Sequence, residues 1–269
     1  MIKLSLILAA FVFALNASAY ELQTVEVYAA KMDRKVRNTV ILPEGYSESG
    51  ARYPVLYLLH GFGDNHRKWA AATTIEELAD QYQVIVVCPS VGHSWYFDSP
   101  IDPRSQYESY MVDDLLPFCD ANYHTQADRR YRALSGLSMG GHGSMYLAIR
   151  HRDLFSIAVP LSGGLDIRPF PDKWNIKQYL GDMNEYPEHW DANTVVELAK
   201  DLKDGELAIS VDCGSGDFFV EVNRAFKAVL ESKGVAFEYQ EHPGGHSWDY
   251  WSAAIIRQMP FIAEQFGKD

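Results

Sequence analysis

Residues 130–151 read RYRALSGLSMGGHGSMYLAIRH, and this segment gives the strongest indication of the fold. Its first part, 130–135, is strand-like and its last part, 140–151, is helix-like. Between them, 136–140 (GLSMG) has the G-x-S-x-G pattern of a sharp strand-to-helix turn that exposes a serine hydroxyl at the end of a sheet. The glycines are needed because bulky neighbours would collide with the strand or the helix. The pattern predicts Ser138 as a nucleophile, and a glycine-rich turn capped by this serine is the alternative.

Strands and helices alternate on both sides of this turn. Residues 22–33 and 35–46 alternate apolar and polar side chains, which predicts an antiparallel hairpin with one face in water. The runs 53–60 and 84–91 are continuously apolar, as in strands buried on both faces of a parallel sheet. Further strands are predicted at 156–162, 207–212 and 235–241, and further helices at 74–82, 107–121, 218–233 and 247–266. The sequence therefore predicts an α/β fold with a mostly parallel central sheet, an N-terminal antiparallel hairpin and helices on both faces.

The stretch 163–205 interrupts this alternation. It is rich in Pro, Trp and Asp and is too long for a simple connection. A substrate-binding insertion and a structural excursion with one or two helices are both consistent with it. We find no internal repeat or linker, so 20–269 is predicted to be a single domain.

The N-terminus has the layout of an export signal. Lys3 precedes an apolar run at 4–15, and the small-residue site A-S-A follows at 17–19. This pattern predicts a signal peptide at 1–19 that is cleaved after Ala19, and a buried N-terminal strand or helix is the alternative. The predicted location is the periplasm or the medium, and the sequence does not decide between them.

Composition excludes several classes of protein. With 36 acidic against 24 basic residues, the formal net charge is −12, so we expect neither a nucleic-acid partner nor binding to an anionic membrane. Hydrophobic residues make up 47% of the chain, an ordinary globular value. The histidine and cysteine spacing fits no metal site, and no cofactor is implied. The three cysteines do not form a disulfide framework, and the oligomeric state is left open.

A nucleophilic serine needs a base, and the base needs an acid to orient it. In the chain order expected after G-x-S-x-G, an acid comes next and a histidine last. His246 lies in a glycine-rich loop before the last helix, whereas His242 reads as the end of a strand. Asp217 follows the strand 207–212 after a turn and is favoured over Asp212, which ends that strand. Its alternative role is a helix N-cap.

Backbone N–H groups are expected to stabilise the negative charge on the substrate oxygen. Met139 opens the helix after the nucleophile, and its N–H is one expected donor. The segment 60–63 (HGFG) ends a buried run, and the N–H of Phe62 is the second expected donor. An ordinary glycine turn is the alternative for this segment.

Four segments of the chain resemble the esterase D group of α/β-hydrolases. They are HGFG at 60–63, GLSMGGHG at 136–143, DCGSGDFF at 212–219 and PGGHSWDYW at 243–251. The resemblance covers about residues 22–266 and implies the α/β-hydrolase fold. It also implies Ser138 as nucleophile, His246 as base, Asp217 as acid, and Phe62 and Met139 as oxyanion donors. That group includes S-formylglutathione hydrolases, feruloyl and acetyl-xylan esterases, and mycolyltransferase-like proteins.

The resulting hypothesis is an exported serine carboxylesterase without metal or organic cofactor. Its expected partner is a small ester or an ester-decorated carbohydrate, with acetyl or feruloyl groups on plant polysaccharides as candidates. Trp95, Trp174 and Trp248 are candidate substrate contacts, and their alternative is a place in the core. Thioester hydrolysis and acyl transfer use the same residues and remain open. A non-catalytic binding protein on this fold is the alternative from another class.

Overall fold

Eight strands form one sheet, and the predicted N-terminal antiparallel hairpin lies at one edge of it. The computed structural model describes residues 20–267, so the predicted signal peptide lies outside the described residues. The strands are β1 (Glu21–Ala29), β2 (Arg34–Leu42), β3 (Val55–Leu59), β4 (Ile85–Pro89), β5 (Arg132–Leu137), β6 (Ile157–Leu161), β7 (Ala208–Gly214) and β8 (Glu238–His242). Their order is β1-β2-β4-β3-β5-β6-β7-β8. Strand β2 is antiparallel to β1 and to β4, and the neighbours from β4 to β8 are parallel.

The described helices connect these strands. They are α1 (Tyr46–Ser49), α2 (Lys68–Ala72), α3 (Ile75–Tyr82), α4 (Tyr107–Ser109), α5 (Leu116–Asn122), α6 (Met139–Arg150), α7 (Ile176–Leu180), α8 (Pro187–Ala192), α9 (Val195–Leu198), α10 (Val220–Lys233) and α11 (Trp248–Phe266). A π-helical segment, Tyr110–Leu115, joins α4 to α5 within the single helix predicted at 107–121. The short helices α1 and α2 had no counterpart in the sequence prediction.

Two hydrophobic cores, one on each face of the sheet, explain the continuous apolar runs. In β3, Leu56 and Leu58 face the core beneath α3 and α11, whereas Tyr57 and Leu59 face the core that α6 and α10 cover. Alternate residues of a strand point to opposite faces, so a strand covered on both faces needs apolar residues throughout. The predicted mostly parallel sheet with helices on both faces is confirmed.

The segment 163–205 contains the short helices α7, α8 and α9 and a 3₁₀ turn at Ala199–Asp201. It is anchored by buried apolar side chains, among them Leu165, Ile176 and Trp190, which join the core on the α6 and α10 side. The segment is therefore packed onto the domain along much of its length. None of the helices within residues 20–267 is both long and apolar enough to cross a membrane.

Candidate active site

Ser138 lies on a strained turn between β5 and α6. Its φ is 56° and its ψ is −115°, a backbone conformation that residues other than glycine rarely adopt. The turn leaves no room for side chains on either side. A Cβ at Gly140 would lie 2.3 Å from the carbonyl oxygen of Leu59, and one at Gly136 would lie 2.7 Å from the same oxygen. The G-x-S-x-G spacing therefore has a steric cause, and the strain is of the kind that is kept at functional sites.

The structure brings together the serine, histidine and aspartate that the sequence predicts. Nε2 of His246 lies 2.8 Å from Oγ of Ser138, and Nδ1 of His246 lies 2.8 Å from Oδ2 of Asp217. The Asp217 side chain is fully buried, and its Oδ1 also accepts the N–H of Phe219 at 2.8 Å. This hydrogen bond fixes the carboxylate toward the imidazole. A histidine held in this way is oriented to take the serine proton.

The alternatives to Asp217 and His246 have other partners. Asp212 is buried and accepts hydrogen bonds from Tyr250 and, at 3.1 Å, from Nε of Arg257. His242 closes β8, and its Nε2 lies 3.1 Å from Oε1 of Gln240. Neither side chain hydrogen-bonds to Ser138 or His246 in the described part of the chain.

Three aromatic rings surround the imidazole of His246, and none of these three neighbours was predicted from the sequence. The ring of Phe218 lies 4.1 Å from it, and Phe219 and Trp251 approach edge-on at 5.3 and 4.7 Å between ring centroids. Phe218 is 52% exposed, so much of its ring is accessible to solvent. Phe218 and Phe219 directly follow Asp217 in the sequence, and this adjacency could have indicated that they lie at the site.

The three predicted tryptophans have different surroundings. Trp174, from the 163–205 segment, is half-buried and stacks on Phe218 at 5.6 Å, so it extends the aromatic surface beside His246. Trp95 is only 1% exposed and packs against Gly164, which corrects its assignment as a substrate contact. Its left-handed backbone, with φ 59°, accompanies this inward placement. Trp248 is half-buried and meets Trp69 edge-on at 5.1 Å.

The loop after β3 carries the predicted oxyanion donor Phe62. Nδ1 of His60 lies 2.8 Å from the carbonyl oxygen of Gly61, and its Nε2 accepts the N–H of Val91 at 3.1 Å. Burial lowers the pKa of His60 to about 4, so the ring is neutral and ties the loop after β3 to the loop after β4. Phe62 itself is half-buried, and its ring stacks on His93 at 4.1 Å.

Met139, the other expected donor, is the first residue of α6. Its N–H belongs to the first turn of the helix, where backbone N–H groups have no partner within the helix. The positive end of the helix dipole also lies there. Phe62 follows β3 and Met139 follows β5, so both expected donors lie at the carboxyl ends of neighbouring strands. Within residues 20–267, no group of three or more His, Cys, Asp or Glu side chains is arranged to hold a metal ion.

Comparison with known proteins points to one family. An acetyl esterase of Caldicellulosiruptor saccharolyticus is 28% identical over 221 residues, covering 78% of this chain and 83% of that protein. The solved structure of a ferulic acid esterase superposes with a TM-score of 0.79 at 27% identity, covering 92% of this chain and 99% of the other. The solved structure of an S-formylglutathione hydrolase from Staphylococcus aureus superposes with a TM-score of 0.80 at 24% identity, covering 91% of this chain and 100% of the other.

The sheet order and these superpositions establish the α/β-hydrolase fold. The family model described as a putative esterase matches residues 29–262, which is most of the chain. This protein therefore belongs to the putative esterase family of enzymes.

Proposed function

We propose that this protein is a serine carboxylesterase that works through Ser138, His246 and Asp217. The observation that carries the proposal is the continuous hydrogen-bond chain from Ser138 Oγ through the imidazole to a buried carboxylate, with both distances at 2.8 Å. Such a chain makes a neutral serine nucleophilic at ordinary pH, because the base takes the proton as the oxygen attacks.

The reaction proceeds in two halves. Ser138 Oγ attacks the ester carbonyl carbon while Nε2 of His246 takes its proton, and Asp217 stabilises the resulting imidazolium. The oxyanion accepts hydrogen bonds from the N–H groups of Phe62 and Met139. The tetrahedral intermediate collapses, the carbon–oxygen bond to the alcohol breaks, and His246 gives its proton to the leaving alkoxide. Water then attacks the acyl-enzyme by the same steps and releases the carboxylic acid.

The proposed substrates are acetyl or feruloyl esters of plant polysaccharides. Two similarities support this class: the acetyl esterase relative and the ferulic acid esterase structure. The surface made by Phe218 and Trp174 beside His246 offers aromatic faces to an acyl group or a sugar ring. We also propose export, with cleavage after Ala19, and N-terminal sequencing of the processed protein tests that cleavage site.

The test is hydrolysis of a matched panel by the processed protein. It contains p-nitrophenyl acetate, methyl ferulate, acetylated xylan and a glutathione thioester, each with Ser138→Ala as control. Turnover of acetylated xylan or methyl ferulate that disappears in Ser138→Ala supports the proposal. Full turnover of p-nitrophenyl acetate by Ser138→Ala contradicts it. Preference for the thioester, or product transferred to an added sugar acceptor, identifies the alternative thioesterase or acyltransferase.

A further inference from the structure

We propose that a basic groove beside the oxyanion loop binds a carboxylate-bearing part of the substrate, such as a uronate residue of an acidic oligosaccharide. As a substrate subsite, this inference rests on the esterase function proposed above. It adds to that function a preference for anionic over neutral glycans.

Two neighbouring cavities form the groove. One has a volume of about 450 Å³ and the other of about 320 Å³, and Arg34 and Tyr107 line both. The charged side chains of the two linings are Glu26, Arg34, Lys35, Arg37, Arg67, Asp102 and Arg104. Five are cationic and two are carboxylates, on a chain whose formal net charge is −12. This local surplus of positive charge in an acidic protein indicates an anionic ligand.

Two of the arginines have no carboxylate partner among the described residues. Lys35 and Arg37 share Glu26 at 3.6 and 3.4 Å, and Arg104 pairs with Asp102 at 3.0 Å. Among the described residues, the Arg34 guanidinium hydrogen-bonds to the Tyr107 hydroxyl and the Met32 sulfur and lies over the Tyr107 ring, and neither it nor the Arg67 guanidinium makes an ion pair. A guanidinium presents donors in a planar fork that matches a carboxylate, so both are free to bind one.

The lining of the groove also contains a buried hydroxyl, that of Ser105. Ser105 lines the smaller cavity and is buried, yet its Oγ has no hydrogen-bond partner in the described part of the chain. Buried polar groups are normally paired, and an unpaired one calls for an explanation such as an absent ligand. His66, in the larger cavity, has its pKa lowered by burial and then by Arg67 and Arg37, which agrees with a positive local potential.

The groove lies at the same edge of the sheet as Ser138. The N–H of Ser90, just beyond β4, hydrogen-bonds to the carbonyl oxygen of Arg37 at 3.0 Å. The start of β2 therefore projects past the carboxyl end of β4. Residues 65–67 continue the oxyanion loop, and His93 of the smaller cavity stacks on Phe62. From β2 to β5 there are three strand spacings, roughly 14 Å, a separation that an oligosaccharide of a few rings spans.

A glycan fits the groove better than an anionic membrane does. The cations line cavities rather than a protruding apolar surface, and lipid headgroups favour the latter arrangement. Half-buried Tyr179 and exposed His93 line the smaller cavity beside Arg34, so ring faces and a guanidinium occur together. Aromatic faces suit the apolar side of a sugar ring, and the guanidinium suits its carboxylate.

Calorimetric titration with trigalacturonate, a uronate trimer without ester groups, tests the inference. The ligand control is its carboxyl-reduced counterpart, a neutral galactose trimer. The variant is Arg34→Gln/Arg67→Gln, and the matched control is Lys203→Gln/Lys233→Gln, which removes the same charge at positions outside both cavities. We expect trigalacturonate to bind and the neutral trimer not to bind. The arginine variant is expected to weaken binding about tenfold, or about 1.4 kcal/mol, and the lysine variant much less.

Several outcomes would overturn the inference. These are no binding of trigalacturonate, equal binding of the neutral trimer, or equal loss in both double variants. Binding to phosphatidylglycerol vesicles that depends on the two arginines, without trigalacturonate binding, would replace a glycan by a lipid surface. If Arg34→Gln/Arg67→Gln fails to fold, Arg67→Gln alone provides the comparison.

Two further readouts separate this inference from the proposed function. If the wild-type protein did not hydrolyse p-nitrophenyl acetate, the proposed esterase function would be refuted, and the result for trigalacturonate binding would still hold. For the substrate role, kcat/KM is compared on acetylated xylo-oligosaccharides with and without glucuronate side groups. We expect a preference for the acidic oligosaccharide that falls about tenfold in Arg34→Gln/Arg67→Gln. An unchanged preference would refute a role in substrate selection.

Discussion

Two fully buried histidines, His60 and His142, should make the stability of this protein fall steeply between pH 7 and pH 5. The ring of His142 lies between two backbone carbonyl oxygens, those of Trp95 at 3.1 Å and Asn193 at 2.8 Å, and His60 is equally buried beneath the oxyanion loop. Burial lowers the pKa of each to about 4. In the unfolded chain the pKa is about 6.5. The unfolded chain therefore binds more protons between these values, and stability is lost as the pH falls.

The expected loss can be worked out from these values. One pKa unit corresponds to about 1.36 kcal/mol, so each histidine should cost about 2 kcal/mol of unfolding free energy between pH 7 and pH 5. Most carboxylates of an unfolded chain titrate nearer pH 4, so they contribute little in this window. Together the two histidines should remove about 4 kcal/mol of unfolding free energy. That is a large share of the roughly 5–15 kcal/mol by which a folded domain is typically stable.

Urea unfolding at both pH values, followed by far-UV circular dichroism, measures this loss in wild type, His60→Phe and His142→Phe. Each substitution has a pH-independent cost of its own, which cancels when the same variant is compared at two pH values. Each variant should lose about 2 kcal/mol less than wild type on going from pH 7 to pH 5. If His142→Phe retained the full wild-type loss, burial of this ring would not be the cause, and the reasoning would be refuted.

Three further predictions concern the site. Asp217→Asn should lower kcat on p-nitrophenyl acetate by about 10⁴-fold, because the imidazole loses its orienting charge; Asp212→Asn should instead lower the unfolding free energy by about 3 kcal/mol with kcat retained, and the opposite pattern would exchange their roles. Gly140→Ala should destabilise the fold by about 1–3 kcal/mol in urea unfolding, since the new Cβ would meet a backbone carbonyl of β3; wild-type stability would contradict this steric account. Phe218→Ala should reduce kcat/KM for methyl ferulate up to about tenfold more than for p-nitrophenyl acetate, and Ile256→Ala, another exposed apolar position, should leave that ratio unchanged.

The buried strands and the serine turn could be anticipated because their causes are local. A strand covered on both faces must be apolar throughout, and a strand-to-helix turn around an exposed serine must be flanked by glycines. Each constraint acts on a few consecutive residues. The segments 53–60 and 84–91 therefore indicated buried strands, and 136–140 indicated the serine turn. The short helices α1 and α2 carry no such constraint, since a helix of about one turn has too few residues to show an apolar period.

Apart from Phe218 and Phe219, which directly follow Asp217, the aromatic surroundings of His246 could not be anticipated, because they depend on which loops meet in space. Trp95 and Trp174 look alike in sequence, each in a loop rich in aromatic and polar residues. Trp95 turns inward to pack on Gly164, whereas Trp174 reaches Phe218 beside the imidazole. The different surroundings of the two tryptophans depend on how the 163–205 segment crosses the domain.

That path also bears on specificity. Trp174 belongs to the 163–205 segment, and Phe218 directly follows the acid of the site, so the two rings come from different parts of the chain. The basic groove lies on the opposite side of Ser138, built mainly from β2 and the loops after β3 and β4, with Tyr179 of the 163–205 segment at its smaller cavity. An acyl group beside His246 and a glycan along the groove would thus be recognised mainly by different side chains. Substitutions at Phe218 should therefore change acyl preference without changing the preference for acidic glycans, and substitutions at Arg34 and Arg67 should do the reverse.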